Sequence, residues 1–227
     1  MKILVINPNT TASMTKKIAA AARIVARPDT EIVAANSQNG PASIQGFLDV
    51  ATCVPGLLEE VAQHPDVDAI VIACFDDTGL DAVRTLVSVP VLGIGEAAYH
   101  AASMIATKFS VITTLSRSVP GLENNLMRYG LARKCERVRA TDIPVLKLEE
   151  GDPATLDKIR SEIREAIDQD NAEAIVLGCA GMADLMAQLS EEFDLPVVDG
   201  VAAAVTFAEA LVSTGLSTSK IGSYSTG

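Results

Sequence analysis

Cys74 and Cys179 have the residue type and setting for chemistry. Each ends a short apolar run, Asp68-Ala-Ile-Val-Ile-Ala-Cys74 and Glu173-Ala-Ile-Val-Leu-Gly-Cys179, and the two stand 105 residues apart. A cysteine just beyond a strand and before a helix has the helix N-terminus aimed at its sulfur, a field that favours thiolate. Two such thiols facing each other across a cleft would set a base on one side of a carbon acid and an acid on the other. That is the arrangement for racemisation: one thiolate takes the proton next to a carbonyl and the opposite thiol returns one. Backbone N–H groups and hydroxyls at the same strand ends would stabilise the enolate oxygen. A single free cysteine is most often a small buried hydrophobe, but related placement at two strand ends argues for a chemical role. Cys53, on a helix, and Cys135, near a strand, lack that setting and read as structural.

The other strand ends offer polar groups. Asp76 and Asp77 could orient a substrate N–H or cap a following helix, and Thr113, Thr114 and Ser116 could cap a helix or offer hydroxyls to a ligand. Asn7 and Asn9 flank Pro8 in a turn whose N–H groups could converge on a carbonyl oxygen. Arg117 is the one cation close after any of these ends, so no carboxylate clamp is evident. His100, on an Ala-rich helix, reads as a packed or surface residue. Gly93-Ile94-Gly95-Glu96-Ala97-Ala98 satisfies a dinucleotide-binding pattern on paper, but no carboxylate stands at the strand end about 20 residues later. No cofactor or metal is expected.

These residues need strands to present them. Short apolar runs alternate with amphipathic ones along the whole chain, the pattern of parallel strands joined by helices and hence of an α/β fold. Strands are expected at Ile3 to Ile6, Glu31 to Ala35, Asp68 to Ala73, Val89 to Gly93, Phe109 to Thr113, Arg137 to Ala140, Ala174 to Gly178 and Pro196 to Val198. Helices are expected at Ser13 to Ala26, Phe47 to Ala62, Leu80 to Leu86, Glu96 to Ala106, Val119 to Tyr129, Pro153 to Asp168, Met182 to Leu189 and Val201 to Val212. The series restarts halfway. Pro90 aligns with Pro196, and Lys2-Ile-Leu-Val-Ile6 with Lys108-Phe-Ser-Val-Ile112, both at a spacing of 106 residues. The expected architecture is two pseudo-symmetric lobes, each a mostly parallel four-stranded sheet flanked by helices, with the active site in the cleft between them. Residues 1–95 plus about 207–227 would form the first lobe and 96–206 the second, the C-terminal helix returning to the first.

Composition narrows the partners. The 227 residues are 48% hydrophobic and 21% charged, enough to bury a core without staples. Eighteen basic against 29 acidic residues leave a net charge of −11, which repels phosphate backbones. Nucleic acid is therefore an unexpected partner, and a small molecule the expected one. No apolar run reaches the roughly 18 residues of a membrane span, and no signal peptide is evident, so a cytoplasmic protein is expected. Two histidines and no paired cysteines at ligand spacing argue against structural zinc.

With the two cysteine motifs at their centre, Asn7-Pro8-Asn9-Thr10-Thr11, Pro41-Ala42-Ser43-Ile44-Gln45-Gly46, Ala73-Cys74-Phe75-Asp76-Asp77-Thr78-Gly79-Leu80, Gly93-Ile94-Gly95-Glu96-Ala97-Ala98, Val111-Ile112-Thr113-Thr114-Leu115 and Gly178-Cys179-Ala180-Gly181-Met182 resemble the hydantoin and allantoin racemase branch of the aspartate/glutamate/hydantoin racemase superfamily. The resemblance covers nearly the whole chain. It implies cofactor-independent two-base proton transfer at C5 of a 5-substituted hydantoin, allantoin among the candidates, with Cys74 and Cys179 as the pair. It also implies substrate contacts from Asn9, Ser43, Ile44, Gln45, Thr114 and Gly181, and a homo-oligomer. Phe75, Asp76 and Thr113 join that set as strand-end residues. Where amino-acid racemases of the superfamily carry Asn-Thr after the first cysteine and Thr-His or Thr-Glu after the second, this chain has Phe75-Asp76 and Ala180-Gly181. A neutral ring with amide groups fits those ends better than a zwitterion does. The alternatives are an aspartate or glutamate racemase, a maleate isomerase, a malonate decarboxylase, or a non-catalytic two-lobed binding protein. A disulfide between the two cysteines is the remaining reading.

Overall fold

The computed structural model describes residues 1–226. Its first half runs β1 (Lys2–Asn7), α1 (Ala12–Val25), β2 (Glu31–Asn36), α2 (Phe47–Ala62), β3 (Ala69–Ile72), α3 (Leu80–Leu86), β4 (Val91–Gly93) and α4 (Ile94–Ile105). The second half repeats the series with β5 (Phe109–Thr113), α5 (Val119–Arg128), β6 (Cys135–Ala140), α6 (Pro153–Asp170), β7 (Ala174–Leu177), α7 (Met186–Phe193), β8 (Val197–Asp199) and α8 (Gly200–Ser213). The sheets have orders β2-β1-β3-β4 and β6-β5-β7-β8, every pairing parallel. This is the expected two-lobed α/β architecture, and the corresponding strands occupy corresponding places. The central strands are buried along their length, so Ile3 to Ile6, Ala69 to Ile72 and Ala174 to Leu177 read as unbroken apolar runs.

The halves exchange helices. α4 leaves the first sheet and packs on β7 and β8 of the second, while α8 leaves the second sheet and packs on α1, β3 and β4 of the first. α4 and α8 also lie against each other. Val201, Ala204, Val205 and Ala208 of α8 are fully buried, and the two alanines let it lie close to its neighbours. Glu209, on the same helix, is buried and anchors it. Its carboxylate accepts from the Arg27 backbone N–H at 2.8 Å and the Thr30 hydroxyl at 2.6 Å, and lies 3.4 Å from the Arg27 guanidinium.

Two expected elements differ. The helix expected at Met182 to Leu189 is a 3₁₀ turn, Ala180–Leu185, followed by α7. The turn is tight because it closes directly on the end of β7: the Met182 N–H donates to the Cys179 carbonyl at 3.0 Å, and Lys17 Nζ on α1 donates to the Gly181 carbonyl at 2.9 Å. The strand expected from Arg137 begins at Cys135, because the second sheet supplies Phe109 as its pairing partner. The glycines of the dinucleotide-like pattern have a local cause. A Cβ at Gly93 would collide with the Asp77 carboxylate, and one at Gly95 with the Phe75 carbonyl.

Removing the Glu209 carboxylate leaves the Arg27 N–H and Thr30 hydroxyl without their acceptor, and each unmade buried hydrogen bond costs on the order of 1–3 kcal/mol. Glu209→Ala is expected to lower unfolding free energy by about 2 kcal/mol or more in urea titration. Arg27→Ala, at a half-exposed side chain, should cost about 1 kcal/mol or less.

Candidate active site

Parallel sheets place ligands beyond the carboxyl ends of their strands, and there the two lobes meet. Cys74 follows β3 by two residues and Cys179 follows β7 by two. Both line one cavity, together with Asn9, Ile44, Phe75, Asp76, Thr113 and Thr114. All four cysteines are free thiols, so the disulfide reading falls away. The sequence missed Met14, Ala73, Ser118, Val145, Gly178 and Ala180, which complete the lining. Among the described residues, no lysine, arginine or histidine lines it.

Ser43, Gln45 and Gly181 are not among the residues that line this cavity. The Gln45 amide donates to Ser43 Oγ at 2.9 Å and accepts from the Val145 backbone N–H at 3.1 Å, which pins the second lobe's Val145 against the first. Gly181 gives its carbonyl to Lys17. A Cβ there would sit 3.1 Å from Leu148 and 3.6 Å from the Cys179 sulfur, so the missing side chain leaves that sulfur room. The N–H groups of the Asn7 turn are spent locally: Asn9 donates to Asn7 Oδ1, Thr10 to the Pro41 carbonyl and Thr11 to Asn9 Oδ1. What remains is the Asn9 amide, whose Nδ2 meets the Met14 thioether at 3.3 Å. A thioether is a weak acceptor, so this amide retains donor capacity toward the cavity. Thr113 turns its hydroxyl to the Gly178 carbonyl at 3.1 Å, and Ser116 bonds Asp142 at the surface; neither caps a helix.

The surroundings of Cys74 reverse one expectation. α3 starts six residues later, with Gly79 and not Cys74 at its N-cap. Burial pushes the Cys74 thiol well above the ordinary value and the Asp76 carboxylate adds to the shift, against hydrogen bonds from the Asp76 backbone N–H and the Thr78 hydroxyl. The shift favours the neutral thiol form of Cys74. Burial also pushes the Asp76 carboxyl up to about 6.

Asp77, beside it, caps no local helix. With φ at 52°, in the left-handed region that aspartate tolerates, it accepts from the Gly95 and Glu96 N–H groups at 2.9 and 2.7 Å and from the Tyr129 hydroxyl at 2.7 Å. It therefore caps α4 and joins the Cys74 loop to the second lobe. Burial outweighs those bonds and raises its carboxyl to about 7.

Fold and site together define a two-lobed α/β protein with a strand-end cysteine from each half on one cavity. The chain belongs to the Asp/Glu/Hydantoin racemase family, whose model matches residues 3–208. It is 50% identical to the hydantoin racemase of Rhizobium meliloti over 99% of this chain and 94% of that one. It is 46% identical to the hydantoin racemase of Pseudomonas sp. (strain NS671), over 99% of this chain and 91% of that one. Among solved structures, allantoin racemase from Klebsiella pneumoniae superposes with a TM-score of 0.97 at 46% identity, covering 100% of this chain and 94% of that one.

Because thiolate is the form that alkylates, the raised Cys74 thiol has a direct signature. In a Cys179→Ser variant, the rate of Cys74 alkylation by iodoacetamide, followed by peptide mass spectrometry, should still be rising above pH 9. A plateau below pH 9 would contradict the shift.

Proposed function

We propose that this protein is a cofactor-independent racemase of 5-substituted hydantoins, allantoin included, that moves the C5 proton between Cys74 and Cys179. The observation that carries the reading is the pair of strand-end thiols, one from each lobe, on a single cavity that no described lysine, arginine or histidine lines. The names of the curated relatives agree with it. A zwitterionic amino acid or a dicarboxylate needs a partner for the carboxylate on its reacting carbon, and among the described residues the lining of the thiol cavity supplies no cation, so the hydantoin reading is favoured over the amino-acid racemase, isomerase and decarboxylase readings. A passive binding protein has no use for a second symmetric thiol.

In the proposed cycle one sulfur, as thiolate, takes the proton from C5. The C5–H bond pair passes into the adjacent carbonyl as an enolate, and a new S–H bond forms. The Asn9 amide and the hydroxyls of Thr114 and Ser118, neither of which bonds another described residue, stabilise the enolate oxygen. The enolate then collapses as the opposite thiol delivers its proton to C5 on the other face. The two sulfurs end with their protonation states exchanged, ready for the opposite enantiomer. Because enantiomers are equally stable, both directions share one kcat/KM at every pH.

The enzyme is proposed to work in the cytoplasm, where free thiols persist, and as a homo-oligomer. Met104 and Ile105 at the end of α4 are 71% and 60% exposed, and Met104 borders a groove with Phe207 and Leu211 of α8. Exposed apolar surface of this kind marks interfaces. Light scattering after size exclusion should give a mass of at least two chains, and Met104→Glu should shift it toward one.

Polarimetry of an enantiopure hydantoin in D2O tests the chemistry. Wild-type protein should erase the rotation and place deuterium at C5. Cys74→Ser and Cys179→Ser should each slow racemisation by about 10²-fold or more, the range of a lost general acid or base. Undiminished racemisation by either variant would sink the two-thiol mechanism.

A further inference from the structure

Beside the reaction cavity lies a second one of about 210 Å³, bordered by Phe47, Val50, Arg117 and Asn124. Asp76 and Ser118 line both cavities and so form the sill between them. The walls come from opposite lobes: Gly46 and Phe47 open α2, while Arg117, Ser118 and Gly121 lie at the start of α5. They reach across to each other, since a Cβ at Gly46 would sit 3.8 Å from Arg117 Cδ and one at Gly121 3.9 Å from the Phe47 ring. Glycine at both places keeps the walls thin. Phe47 is 67% exposed and Arg117 is exposed, so the cavity opens to solvent.

The charges in this second cavity are unmatched. The Asp76 backbone carbonyl is held by the Asn125 amide at 2.9 Å, but its carboxylate takes no hydrogen bond and no ion pair from any described residue. A half-buried carboxylate without a donor is costly, and it becomes satisfied when a ligand brings an N–H. Arg117 likewise pairs with no carboxylate among the described residues, Asp76 included, although the two share the cavity. The arrangement asks for a group with N–H donors near the sill and a carbonyl oxygen farther out.

Resting on the racemase reading above, we infer that this second cavity is the subsite for the C5 substituent, and that Asp76 and Arg117 select hydantoins whose substituent is a ureido group. The N–H on C5 donates to Asp76 as the substituent crosses the sill, and the ureido carbonyl accepts from the Arg117 guanidinium, whose planar fork suits a carbonyl oxygen. An alkyl or aryl substituent fills the space beside Phe47 and Val50 but covers the Asp76 carboxylate without giving it a donor. Sites built to hydrogen-bond a substrate discriminate strongly against analogues lacking the partner. A methyl substituent ends inside the reaction cavity and does not sense the subsite.

The test is the ratio of kcat/KM for enantiopure allantoin to that for enantiopure 5-methylhydantoin, measured by polarimetry on wild-type, Arg117→Ala and Asp76→Asn proteins. Arg117→Ala removes an exposed side chain and leaves the fold intact; its ratio should fall about tenfold or more, with 5-methylhydantoin changing by less than about twofold, a tenfold change being about 1.4 kcal/mol. Asp76→Asn alters the Cys74 thiol for both substrates alike, and its ratio should also fall. A ratio unchanged in either variant overturns the subsite assignment. Wild-type protein that racemises neither compound overturns the racemase reading itself.

Discussion

The Asp77 carboxylate is the joint on which the cleft depends. It belongs to the turn that presents Cys74, yet all three of its hydrogen-bond donors come from beyond the first sheet: two N–H groups of α4, which packs on the second sheet, and the hydroxyl of Tyr129 at the end of α5. Its neighbours are built around it, with Gly93 and Gly95 leaving the space that a side chain would fill. Phe75 packs edge-on against Tyr99 at 5.3 Å, closing the turn over the shared core. One carboxylate thereby sets the position of the first thiol relative to the second lobe. Lys17 makes the reciprocal tie, reaching from α1 to the Gly181 carbonyl and the Asp184 carboxylate beside Cys179.

The duplicated halves solve the same problem in different ways. Where β8 ends, Asp199 caps α8 itself, accepting from the Ala202 N–H at 2.8 Å. Where β4 ends, the aligned position is Gly93, and the carboxylate comes from Asp77 on the neighbouring strand end. That exchange draws the β3 turn toward α4 and leaves Asp76 at the sill between the cavities. The symmetry of the sheets thus brings the thiols together, and its local failure gives the two sides of the cleft different polar groups.

The strands, their duplication and the two cysteines were legible in the chain because buried parallel strands leave short apolar runs and a repeated unit repeats its pattern. α2 falls at Phe47–Ala62, as its periodicity implies. The rest of the cavity was not legible, because it depends on partners far apart in sequence. Val145 sits in an aperiodic segment and reaches the cleft through Gln45, 100 residues away. Met14 and Ser118 look like ordinary helix-start residues until the fold brings both to one cavity. Ser43, Gln45 and Gly181 lie outside that lining, where Gln45 bonds Ser43 and Val145 and the Gly181 carbonyl accepts from Lys17. The thiol shift was misjudged for a related reason: local sequence suggests a helix field, whereas burial and Asp76 are properties of the assembled cleft.

Burial that makes the Cys74 thiolate scarce also makes it a stronger base, which narrows the gap to a weak carbon acid. The charge balance of the cleft decides which carbon acid benefits. On the proposed cycle a single negative charge moves from one sulfur to the enolate oxygen and on to the second sulfur. With no cation in the lining, a substrate that brings its own carboxylate would place a second anion beside the first in a medium that screens them weakly. A neutral hydantoin keeps the count at one throughout, and its ring carbonyl supplies the activation that a bound cation would otherwise provide. Asp76 is the exception at the edge, and its unpaired carboxylate faces the cavity through which a donor-bearing substituent would extend.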